Sequence, residues 1–84
     1  MKKKLRIFAK HLDVGDTFIN QKGIASIVKE VNIYDLTIKG VQIISFRTNT
    51  WERMEDVPRT KCFVEIYGLN QKVPFVKEYH GTAD

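Results

Sequence analysis

Short runs of β-branched and aromatic residues, broken repeatedly by turn signals, occupy most of this sequence. That pattern selects strands joined by tight connections and leaves little room for helix. Leu5 and Ile7 alternate with Lys4 and Arg6, which predicts a short first strand. His11 to Asp16 reads as a turn, with Gly15 as its permissive position. Thr17 to Asn20 is a short strand, and Gln21-Lys22-Gly23 a tight hairpin connection with Gly23 left-handed. Ile24 to Ile33 is a longer strand. Ile27, Val31 and Ile33 share one parity, interrupted by Lys29, and Val28, Glu30 and Asn32 share the other.

Tyr34-Asp35 marks a bend, and Leu36 to Ile38 and Val41 to Arg47 are extended. Between them Lys39-Gly40 is either a hairpin turn or a kink in one bent strand. Asn49 can cap a helix and Glu52, three residues on, can reach back to it. Residues 50 to 56 therefore read as one or two helical turns, which Pro58 ends. Lys61 to Tyr67 is a strand with Cys62, Val64 and Ile66 on one side and Phe63, Glu65 and Tyr67 on the other. After a turn at Gly68 to Gln71, Val73 to Tyr79 is the last strand, its start assigned to a sheet edge by Pro74.

The expected fold class is all-β with one short helix, a five- to six-stranded antiparallel barrel of SH3-like or OB-like type. At 84 residues the chain suits one small domain. Its parts are a basic N-terminal arm and first strand (1–10), the barrel (5–79) and a polar tail (80–84). Leu12-Asp13-Val14-Gly15-Asp16-Thr17-Phe18 resembles the L-x-V-G-D-x-F opening of small SH3-like and KOW-like modules. The resemblance covers seven residues and implies a β-barrel binding module.

Charge is unevenly placed. Lys2, Lys3, Lys4, Arg6 and Lys10 stand in the first ten residues with no acid among them, so the formal charge of +4 belongs to the N-terminus. Such an arm neutralises phosphates. The apolar stretch after it is too short for a signal-peptide core, and no run is long enough to span a bilayer. With a single cysteine, Cys62, the chain has no intrachain disulfide and a cytoplasmic location is expected.

Enzymatic chemistry is not expected. His11, His80 and Cys62 are far apart in sequence, so no metal site or other cofactor is assigned. Cys62 reads as a small hydrophobe in an apolar strand. Ser26 and Ser45 lack the glycines of a nucleophile elbow. The five glycines are scattered, so there is no phosphate loop.

A non-enzymatic binding module remains, with nucleic acid placed ahead of protein as partner. Cations for phosphates come from Lys2, Lys3, Lys4, Arg6, Lys10 and Arg47, and stacking faces from Phe63 and Tyr67. The alternative is a protein-interaction module or small inhibitor, of a size that suits a phage or mobile element. Its interface candidates are Trp51 and Arg53, favoured anchors at interfaces, with the acidic Glu52, Glu55 and Asp56 beside them. An open edge strand near Pro74 would allow a homodimer. No membrane partner is expected.

Overall fold

The computed structural model describes residues 4–48, 51 and 53–76. Six strands follow one another: β1 (Lys4–Phe8), β2 (Thr17–Ile19), β3 (Ala25–Asp35), β4 (Lys39–Arg47), β5 (Phe63–Tyr67) and β6 (Lys72–Val76). They form one antiparallel sheet in the order β1-β6-β2-β3-β4-β5. β1 and β5 are its edges, so the ladder of a closed barrel is not found.

The turns form where the sequence supplies turn chemistry. Gly15 and Gly23 have φ of 97° and 80°, a region that other residues enter only with strain. Asp13 and Asp16 close the first turn, the Asp13 N–H donating to Asp16 Oδ2 at 2.8 Å. Asn20 organises the β2–β3 turn: its Oδ1 accepts from the Lys22 and Ile24 N–H groups, both at 2.9 Å. Lys39-Gly40 is not the turn: both residues lie in β4, paired with Asp35 and Tyr34, and the hairpin turns at residues 36–38, which the sequence reads as extended.

The inner face of the curved sheet holds the core: Ala9, Leu12, Phe18, Val28, Val41, Ile43, Tyr67 and Val73. A β-bulge in β3 decides which residues reach it. The β3–β4 register passes from Val28↔Ser45 to Glu30↔Ile44, leaving Lys29 unpaired. The extra residue flips the parity, so Val28, not Ile27, joins Val31 on the inner side. Lys29 extends its Nζ to the Val57 carbonyl at 3.1 Å. Ile44, Phe46 and Val57 are also buried, although Ile44 and Phe46 are on the outer parity of β4.

Three expectations need correction. The described residues of 50–56 form no α-helix. Two single 3-10 turns, Met54–Asp56 and Arg59–Lys61, stand there, each entered from extended backbone and without a side-chain cap. A segment of one or two turns cannot offset the cost of helix nucleation. The Asn49/Glu52 cap lies outside the described residues. Pro74 is not at an edge: β6 lies between β1 and β2. It is tolerated beside a short neighbour, since β2 and β6 share the single pair Phe18↔Phe75. β5 is turned over relative to expectation. Glu65 and Tyr67 face in, and Val64 and Ile66 are 56% and 60% exposed. The register Val41↔Tyr67 and Ile43↔Glu65 fixes this, because paired residues share a face and Val41 and Ile43 are core.

Candidate functional site

Inside the sheet, the inverted β5 brings polar groups together. Tyr67 donates its hydroxyl to Glu65 Oε1 at 2.6 Å, and both residues are buried. The same oxygen accepts the Gln21 N–H at 3.3 Å, and Gln21 Nε2 donates to the Ile66 carbonyl at 2.8 Å. The Asn20-ordered turn therefore docks on β5. Asn20 Nδ2 donates to Ser26 Oγ at 3.1 Å beside this cluster. Glu65 Oε2 and Ser45 Oγ are buried with no hydrogen-bond partner among the described residues. Burial, and then the Glu65 hydrogen bond and charge, push the Tyr67 phenol far above its ordinary range. The Tyr67, Glu65 and Gln21 groups bond to one another and tie β5 to the β2–β3 turn.

This geometry removes Tyr67 as an exposed stacking residue. Tyr67 is 2% exposed. Phe63 is half-buried, and Lys22 Nζ stands 5.4 Å from its ring centroid. Among the other predicted phosphate contacts, Lys2 and Lys3 lie outside the described residues and Lys4 is described only as a position in β1. Arg6 and Arg47 are exposed, and Lys10 is half-buried in the 3-10 turn Ala9–His11.

At the predicted protein interface, Trp51 is exposed and Glu52 lies outside the described residues. Arg53 and Glu55 pair with each other at the surface, and the guanidinium holds the Glu55 carboxyl below its ordinary value. Asp56 is exposed. Cys62 is half-buried between the third 3-10 turn and β5, not within an apolar strand. Among the described residues no three His, Cys, Asp or Glu side chains converge as metal ligands would. No described helix is long and apolar enough to cross a membrane.

Two surfaces emerge that the sequence reading did not assemble. One is the tip of the β3–β4 hairpin. The last row shared by three strands is Ile33–Val41–Tyr67; beyond it the hairpin continues alone through Tyr34↔Gly40 and Asp35↔Lys39. Leu36 is 86% exposed and Ile38 74%, with Ile33 and Tyr34 about half exposed. Together they line an open cleft of about 340 Å³ with Asp35 and Thr37. The available signal was Ile33-Tyr34-Asp35-Leu36-Thr37-Ile38, a turn segment far more apolar than a solvated turn needs to be. The other surface is cationic and surrounds Phe8. Lys10 Nζ and Lys72 Nζ lie 5.6 and 5.2 Å from its ring centroid, and His11 meets the ring edge-on.

Comparison with protein-family models, with curated proteins and with solved structures returns no match.

Proposed function

We propose that this chain is a non-enzymatic binding module that docks on a protein partner through the β3–β4 hairpin tip. The observation that carries the reading is the exposure of Leu36 and Ile38, 86% and 74%, at the end of a projecting hairpin. Single exposed apolar residues are ordinary, but a contiguous apolar patch on a projecting element marks a contact surface. Fully burying one Leu or Ile side chain contributes about 1.5–3 kcal/mol, so the two together offer about 3–6 kcal/mol to a complex. An exposed apolar tip of this kind fits an apolar surface of its partner.

The scaffold reading is SH3-like in preference to OB-like. β2 to β5 run as a meander, β6 returns beside β2, and Gln21 ties the β2–β3 turn to β5 across the open side. In this reading the module is one small domain whose hairpin is the variable, partner-reading part.

The test is site-specific photocrosslinking from position 36 in the cells that make the protein, followed by reconstitution with the purified crosslinked partner. The variant Leu36→Ser/Ile38→Thr should bind that partner at least about 100-fold more weakly, the lower end of the burial estimate. Its circular dichroism and thermal midpoint should match the parent's. Retained affinity overturns the reading, as do self-association by sedimentation or vesicle binding that the same variant abolishes.

A further inference from the structure

We infer that the outer face of the β1–β6 pair, with the adjoining 3-10 turn, is a second binding site, one for the phosphate backbone of a single-stranded nucleic acid. Lys4, Arg6 and Phe8 occupy alternate positions of β1, and Phe8 pairs in register with Lys72 of β6. The 3-10 turn that follows adds Lys10 and His11. Arg6 donates from Nη2 to the Lys72 carbonyl at 3.4 Å, which brings the guanidinium to the same strand end.

Phe8 is the organising residue. Both Lys10 Nζ and Lys72 Nζ approach its ring, and the His11 ring meets it at 89° with centroids 5.6 Å apart. The ring quadrupole attracts both ammonium groups and so gathers the two cations about one ring. No described carboxylate lies within salt-bridge distance of Arg6, Lys10 or Lys72. Like charges gathered without a counter-charge form a site that an incoming anion relieves.

The shape of the site selects the anion. Alternate residues of a strand recur about every 6.6–6.8 Å, a linear repeat suited to an extended polyphosphate. Arg6 supplies a planar fork and the lysines supply point charges, the two cation types that bind phosphate oxygens. The ring is half-buried and attended by cations, so it offers neither an apolar anchor to a bilayer nor a clear face to a base. Affinity should therefore come from charge with little sequence preference. The sequence places Lys2 and Lys3 immediately before this strand, extending the run of cations. This inference does not depend on the hairpin reading and involves other residues.

The experiment is fluorescence anisotropy of the full chain with a labelled 20-nucleotide single strand of mixed sequence, between about 50 and 200 mM salt. Binding should weaken with salt. Neutralising Lys10 and Lys72 together should lower affinity several-fold or more at low salt and flatten the log–log salt slope by about 1.4, or about 0.7 per lost phosphate contact. Lys61→Ala, an exposed lysine in another 3-10 turn, should leave the slope of the parent. Leu36→Ser/Ile38→Thr should also bind like the parent, which separates failure here from failure of the protein-docking reading. Circular dichroism establishes that each variant is folded. No binding at 50 mM salt, or a Lys10→Ala/Lys72→Ala variant that binds like the parent, overturns the inference. So does binding to phosphatidylserine vesicles without binding to the oligonucleotide.

Discussion

Removing one buried hydroxyl, in Tyr67→Phe, should cost this small protein a large share of its stability. Tyr67 and Glu65 are 2% and 7% exposed, and their hydrogen bond is 2.6 Å long. A hydrogen bond to a charged group contributes about 1.5–3 kcal/mol. The substitution keeps the ring, and with it the edge contact to Phe18 at 6.3 Å, so little packing is lost. It leaves Glu65 Oε1 with only the Gln21 N–H at 3.3 Å, while Oε2 already lacks a described partner. A less satisfied buried carboxylate adds roughly 1 kcal/mol, giving an expected loss of about 2.5–4 kcal/mol. Chains of this size are stable by about 4–13 kcal/mol, so the loss is readily measured. Urea unfolding followed by circular dichroism at pH 7 reads it directly. Glu65→Met supplies the control. Replacing both partners by apolar groups removes the desolvation penalty as well as the bond, so Glu65→Met/Tyr67→Phe should be more stable than the sum of the single losses implies. The coupling should reach about 1 kcal/mol or more. A Tyr67→Phe loss below about 0.5 kcal/mol, or an additive cycle, would refute the view that this pair holds β5 in its inverted setting.

The same pair makes the fold sensitive to alkali. Tyr67 holds its proton more tightly folded than unfolded, so its contribution is complete below the ordinary phenol value of about 10 and is lost as pH rises above it. Absorbance of tyrosinate should show one tyrosine that ionises only together with unfolding, and Tyr67→Phe should abolish that step. Gly23→Ala should cost about 1–2 kcal/mol from its φ of 80° alone, since a Cβ there meets nothing within 4 Å. Gly23→Asn should cost less, as read by the same urea titration. Lys29→Ala removes the bond to the Val57 carbonyl, so amide exchange should quicken around residues 53–62 while the Val41 and Ile43 amides stay protected.

Turns were legible in the sequence because their chemistry is local. Gly15 and Gly23 carry the turns they occupy as their residue type suggests, whereas Asn20, which reads as the end of a strand, orders the second turn through its side chain. Strand existence was legible for the same reason. Which side of a strand faces in was not. In β5 the apolar parity Val64, Ile66 looks like the core side until the strand is registered against β4, and that register is a long-range fact. The bulge at Lys29 is equally silent locally, since one unpaired residue leaves composition unchanged while flipping every residue after it. The Phe8 cluster was illegible because Lys72 reaches it only through the pairing of the first strand with the last. The hairpin tip was visible as an apolar run, but extended apolar residues read as strand until the fold shows that the ladder beside them has ended.

The inversion of β5 and the bare hairpin tip point the same way. Setting Val64 and Ile66 in water while enclosing Glu65 forgoes apolar burial and desolvates a carboxylate. Turning the strand over would improve both terms locally. Glu65 and Tyr67 bind each other and Gln21 binds β5, polar contacts that an apolar strand could not supply. The result is an outer surface on which Val64 and Ile66 stand across from Ile44 and Gln42. Beyond them the neighbouring hairpin ends in Leu36 and Ile38. Sequences depart from the locally favoured choice mainly where function requires it. Two departures on adjoining strands each leave aliphatic side chains in water, which is what the proposed docking surface requires.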